Sequence, residues 1–147
     1  MNPIKIGIIG AGQNTCKMHI PKLLALQGVE IKAVANRSLD SARKVAEQFN
    51  IPHISADWRE IATSKDIDAI VIGTWPYLHC EATCLALHSG KHVLCEARMS
   101  MNAVEAEKML KVARENPHCI AQLVPSPFTL RIDETVKTYI QQGKLGK

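Results

Sequence analysis

A β-branched run from Lys5 to Ile9 passes directly into Gly10-Ala11-Gly12-Gln13-Asn14-Thr15, a combination suited to holding a phosphate. Glycine takes the positive φ of a sharp turn and lets the backbone approach a ligand with no Cβ between them. A helix starting just after such a turn aims free N–H groups and the positive end of its dipole at an anion. Alone the pattern is weak, since strand-turn-helix with two glycines recurs in domains that bind no nucleotide.

A second group of residues follows the next apolar strand. Sites selective for NAD usually carry an acidic residue there, which accepts hydrogen bonds from ribose hydroxyls. This chain has Asn36-Arg37-Ser38. Asparagine removes the charge that would repel a 2′-phosphate, Arg37 offers a planar cationic fork and Ser38 adds a donor. The three together favour NADP over NAD. In the alternative reading Arg37 is an exposed turn residue and Ser38 only a helix cap.

Cys80 and Cys84 lie four apart on an expected helix between His79 and His88, a spacing that can put two metal ligands on one face. No second Cys/His pair completes four ligands, and cysteine on a helix against a sheet is usually a small core hydrophobe. No metal is expected. Five cysteines, an odd number without a disulfide-like framework, point to free thiols in a reducing compartment, hence a cytoplasmic protein.

These residues need a scaffold, and strand and helix signals alternate along the whole chain. Strands are expected at Lys5–Ile9, Val29–Ala35, near His53-Ile54, at Asp68–Ile72, His92–Cys95 and Cys119–Val124. Between them run a helix capped within Ser38–Asp40 and carrying Ala42, Val45, Ala46 and Phe49, a brief helix at Asp57–Ala62 and another at Glu81–Ser89. A further helix is capped by Asn102, with Ala103, Ala106, Leu110 and Ala113 on its buried face. A last one carries Ile132, Val136, Tyr139 and Ile140 at helical spacing. Such alternation predicts an α/β fold, a doubly wound parallel sheet in three α-β-α layers with right-handed crossovers. Ligands then bind beyond the carboxyl ends of the strands, where strand order reverses.

The 147 residues suit one domain, and 46% hydrophobic with 22% charged residues is an ordinary globular composition. A net charge of +4 without a Lys/Arg block argues against nucleic acid as partner. No apolar run reaches membrane-span length, so no membrane partner is expected either.

Three segments together resemble the glucose–fructose oxidoreductase/inositol dehydrogenase (Gfo/Idh/MocA) family. They are the glycine turn running on to His19-Ile20-Pro21; Ile67 to Ile72 followed by Thr74-Trp75-Pro76-Tyr77-Leu78-His79; and Ala86 to Glu96, including Gly90-Lys91-His92-Val93. Gln142-Gly143-Lys144-Leu145-Gly146 is similar to the family's hinge out of its nucleotide domain. The resemblance implies a Rossmann domain across residues 1–147 that binds NAD or NADP. It also implies a C-terminal substrate and oligomerisation domain that this chain does not contain, and a homo-oligomer for the full-length protein. The reaction it implies is hydride transfer between nicotinamide and a hydroxyl or carbonyl of a sugar- or polyol-like small-molecule substrate, with the present chain alone inactive.

On that resemblance the cofactor-binding positions are Gly10, Ala11, Gly12, Gln13, Asn14, Thr15, Asn36, Arg37, Ser38, Thr74, Trp75, Pro76, His79 and Glu96. Glu96 is implied to neighbour the nicotinamide ribose. Trp75 either packs on the cofactor ring system or is structural, and His79 begins the following helix as a packing or cap residue.

There are departures from the family pattern. Thr15 replaces a small residue and His19 comes one residue late, which implies an enlarged glycine turn. The family's Glu-Lys-Pro is here Glu96-Ala97-Arg98, and its lysine helps position or deprotonate the substrate hydroxyl. Ala97 carries no proton, and Arg98 is always charged and cannot act as a base. Arg98 is the catalytic candidate, orienting substrate or stabilising a developing alkoxide; otherwise Arg98 and Met99 merely start the next helix. Pro125-Ser126-Pro127-Phe128 replaces a polar, arginine-containing segment. The missing lysine also admits a second function, a sensor or regulatory module that binds NAD(P) without catalysis.

Overall fold

The computed structural model describes residues 2–125 and 132–144. In chain order they form β1 (Ile4–Ile9), a π-turn (Thr15–His19) continuous with α1 (Ile20–Leu24), β2 (Val29–Ala35), α2 (Leu39–Phe49), β3 (His53–Ser55) and α3 (Trp58–Thr63). β4 (Ala69–Ile72) follows, then a 3₁₀ turn (Pro76–Leu78) leading into α4 (His79–His88), β5 (His92–Cys95), α5 (Ala103–Glu115), β6 (Ala121–Leu123) and α6 (Asp133–Gln141).

The six strands make one sheet in the order β3-β2-β1-β4-β5-β6, every neighbouring pair parallel. Both faces are covered, as strands this continuously apolar require. Alternate side chains feed two cores. Ile8, Val34 and Val71 pack with Ile20 and Val45 on one side. Ile9, Ile70 and Ile72 pack with Ile61, Leu87 and Met109 on the other. The strand order reverses between β1 and β4, which places the cleft beside the glycine turn.

The expected caps are in place: Ser38 accepts from the Ser41 N–H and Asn102 from the Glu105 N–H. One expectation about a helix face is corrected. The buried side chains of α5 are Met109 and Val112, while Leu110 and Ala103 face solvent. Alanines at 103, 106 and 113 are too small to set the helix phase, and packing against α4 and the sheet selects the neighbouring stripe. α6 has no buried residue at all, and its Ile132, Tyr139 and Ile140 are exposed. Residues 126–128 and 145–146, singled out in the sequence, lie outside the described residues.

Candidate functional site

Two backbone turns meet at the switch point. Gly10 has φ +85°, and a Cβ there would lie 2.7 Å from the Thr74 backbone nitrogen. From the other side, a Cβ on Gly73 would lie 2.5 Å from the Gly10 carbonyl oxygen. The turns after β1 and β4 therefore touch main chain to main chain, which only glycine allows. Gly12 is different, since a Cβ on it would meet nothing within 4 Å. Its open side faces free space ahead of the first helix, where main chain can be approached without a Cβ in the way.

Thr15 is buried, and its hydroxyl donates to the Gly10 carbonyl at 3.1 Å. That hydroxyl braces the turn from inside, so of Gln13, Asn14 and Thr15 only the first two keep exposed side chains. The turn itself is not enlarged. The extra residue ahead of His19 is taken up within the helix, where the Ile20 N–H reaches back five residues to the Thr15 carbonyl. A proline in a regular helix crowds the carbonyl four residues earlier, and Pro21 sits directly after this widened turn.

The π-turn has a consequence across the cleft. Asn14 Nδ2 and His19 Nε2 both reach Glu96 Oε1, each at 2.5 Å, while the Ala97 N–H donates to Glu96 Oε2 at 3.0 Å. Glu96, at the end of β5, is thus fixed to the first helix, with both partners' side chains about one-sixth exposed (15% for His19, 16% for Glu96). Sequence reasoning missed His19 as a site residue. The available signal was two polar residues five apart ahead of a proline.

At the end of β2, Asn36 Oδ1 accepts the Ala11 N–H at 2.6 Å. Its oxygen holds the glycine turn, which leaves the amide N–H groups as its capacity toward a ligand. Arg37 is exposed and makes no ion pair among the described residues, and Ser38 is occupied with its cap.

The loops after β4 and β5 are joined by His79, which is fully buried. Its Nδ1 is 2.8 Å from the Arg98 carbonyl and its Nε2 3.0 Å from the Thr74 carbonyl. Grouped with the cofactor contacts on sequence, His79 is placed behind both loops and holds them together. Trp75 is 75% exposed and so belongs to no core, leaving its ring available to a ligand. Arg98 does not start the next helix, since α5 begins at Ala103, and its side chain is exposed beside Glu96 and Ala97. The Ala97–Arg98 peptide bond is cis.

Cys80 and Cys84 are buried in the core. Burial pushes the Cys84 thiol up to about 11, with Cys80 beside it acting in the same direction, so the pair stays as neutral thiols within the core. Among the described residues no group of three or more His, Cys, Asp or Glu side chains is placed to hold a metal ion. No described helix is long and apolar enough to cross a membrane.

Comparison with known proteins matches residues 4–123 to the family model described as an oxidoreductase family with an NAD-binding Rossmann fold. The chain is 30% identical over 134 residues to scyllo-inositol 2-dehydrogenase (NADP(+)) IolU of Bacillus subtilis, covering 91% of this chain and 40% of that protein. It is 30% identical over 144 residues to trans-1,2-dihydrobenzene-1,2-diol dehydrogenase of Bos taurus, covering 97% and 43% respectively. Among solved structures, KijD10, a 3-ketoreductase from Actinomadura kijaniata in complex with TDP-benzene and NADP, superposes with a TM-score of 0.78 at 27% identity, over 97% of this chain and 44% of that one. The chain spans between a third and under half of the curated relatives it matches, 33% and 43% in two of them.

Proposed function

The chain belongs to the Gfo/Idh/MocA oxidoreductase family with its NAD-binding Rossmann fold, and from that premise we propose that it holds NADP in preference to NAD. The reaction served is oxidation or reduction of a hydroxyl or carbonyl carbon in a sugar- or polyol-like molecule. The observation that carries the cofactor preference is the Ala11 N–H on Asn36 Oδ1. With Oδ1 committed to the glycine turn, Asn36 offers its amide N–H groups to the adenosine ribose, and the exposed Arg37 supplies a cation beside them. A 2′-phosphate fits that pair, and a charge-assisted contact contributes on the order of 1.5–3 kcal/mol. The relative from Bacillus has NADP(+) in its name and the ketoreductase from Actinomadura was solved in complex with NADP, which supports the same reading.

The remaining residues divide the work. The Gly12 cradle and the N–H groups of Gln13 and Asn14 receive the pyrophosphate. Trp75 covers the cofactor from the β4 side, and Glu96 accepts hydroxyls of the nicotinamide ribose. Arg98 orients the substrate oxygen and stabilises negative charge developing on it. Bound NADP supplies the hydride acceptor or donor. Proton transfer needs a group other than Arg98, which stays charged, and Ala97, which has none.

Titrating the purified chain with NADPH and with NADH, read by tryptophan fluorescence in a Trp58→Phe background, tests the proposal. NADPH binding about ten- to hundredfold tighter is expected, and tighter NADH binding overturns the preference. Ala97 favours a second reading, a module that binds NAD(P) without turnover. A panel of sugars and keto-sugars assayed with NADPH and the full-length protein separates the two: cofactor binding without turnover on any of them supports the module.

A further inference from the structure

In a regular α-helix, residues five apart point about 140° away from each other, at roughly 100° per residue. Asn14 and His19 are five apart, yet both reach a single oxygen, Glu96 Oε1, at 2.5 Å. What brings them together is the π-turn over Thr15–His19. Its five-residue repeat sets positions i and i+5 on one face. We propose that the π-turn is a register device and that His19 is a positioning residue for Glu96.

With Asn14 and His19 fixing Oε1 and the Ala97 N–H bound to Oε2, the carboxylate is held in one orientation. Its remaining acceptor capacity is on Oε2, the oxygen with a single donor. Resting on the functional reading above, that oxygen is the one offered to the nicotinamide ribose. The π-turn thus absorbs the extra residue before His19, which in a regular helix would turn the imidazole away from the cleft. The helix that cradles the pyrophosphate and the loop that carries Arg98 are tied through the same carboxylate.

The Ala97 amide reports directly on Glu96, because its N–H is bonded to Oε2. Hydrogen exchange is measured by NMR on the nucleotide-free chain for His19→Phe, which removes the donor, and for His19→Gln, whose amide N–H can replace it. The Phe variant is expected to raise Ala97 exchange about tenfold and the Gln variant to stay within about twofold of the parent, as loss or retention of one charge-assisted bond implies. Deleting Lys17, which closes the π-turn and leaves the histidine four residues from Asn14 on one face of a regular helix, is expected to keep Ala97 exchange within about twofold of the parent.

A second arm compares NADPH with adenosine 2′,5′-bisphosphate, which lacks the nicotinamide ribose. The Phe variant should weaken NADPH about tenfold and leave the bisphosphate unchanged, with Gln restoring NADPH binding. Unchanged Ala97 exchange in the Phe variant, a Gln variant as impaired as Phe, or equal weakening of both ligands overturns the proposal. A parent chain that binds neither nucleotide overturns the functional reading instead, and the exchange arm still decides the role of His19.

Discussion

Gly73 and Thr15 approach so closely that a Cβ on the glycine would lie 2.1 Å from the threonine hydroxyl oxygen. The same Cβ would also meet the Gly10 carbonyl, which is main chain and cannot swing aside. Gly73→Ala is therefore expected to destabilise the fold by about 1–3 kcal/mol. Gly12→Ala, with open space at its Cβ, is expected to change stability by no more than about 0.5 kcal/mol while weakening NADPH at least about tenfold, because it fills the phosphate cradle. Urea denaturation and nucleotide titration on the two variants check both halves; equal stability losses would contradict the assignment of Gly12 to the ligand side.

Asn36 separates scaffold from selectivity. Asn36→Asp keeps an oxygen for the Ala11 N–H and adds a charge at the position proposed to receive a 2′-phosphate. The expected result is unchanged thermal stability within about 1 kcal/mol and a cofactor preference moved toward NADH by roughly tenfold or more. Arg37→Ala should weaken NADPH about ten- to hundredfold and NADH little. Competition titrations with the two nucleotides measure both shifts.

Stability should fall on the alkaline side. Burial pushes the Cys95 thiol up to about 11, as it does Cys84. The folded state therefore favours the protonated thiols, and their contribution is complete below the unfolded thiol range and is lost as pH rises through about 11. Urea midpoints are expected to be flat in this respect between pH 7 and roughly 8.5 and to drop between about 9 and 11. Cys95→Ala should show a shallower drop. An equally steep one would assign the alkaline loss to other groups.

Replacing His79 tests the brace behind the loops. His79→Leu removes the ring that lies against the Thr74 and Arg98 carbonyls and donates its single neutral N–H to one of them, and leaving that acceptor unsatisfied costs about 1–3 kcal/mol. A loss of about 2–4 kcal/mol in unfolding free energy is expected, together with faster amide exchange in both loops but not in β2 or α2. Exchange rising uniformly over the chain would mean that His79 supports the core at large.

The strands were legible because both faces of a parallel sheet must be apolar, so runs such as Ala69–Ile72 and His92–Cys95 stand out without any three-dimensional information. The positions after the strands followed from topology. The partners of Glu96 did not, since Asn14 and His19 lie 82 and 77 residues away in sequence and meet it only through the strand order. The π-turn was invisible for another reason. An extra residue before His19 can widen a loop or a helix, and residue types alone do not say which. The phase of α5 failed where alanines dominate: Leu110 was the one large side chain on the expected stripe, and the sheet took Met109 and Val112 instead.

The cleft's rim is closed almost all the way round by contacts within the protein. Asn36 holds Ala11, Gly10 abuts Gly73, His79 joins Thr74 to Arg98, and Glu96 returns to Asn14 and His19. A rim assembled during folding has already given up its conformational freedom before any ligand arrives, so association loses little further entropy in ordering loops. Binding to such a site is expected to proceed in a single kinetic phase, with differences in affinity between nucleotides expressed in their rates of departure.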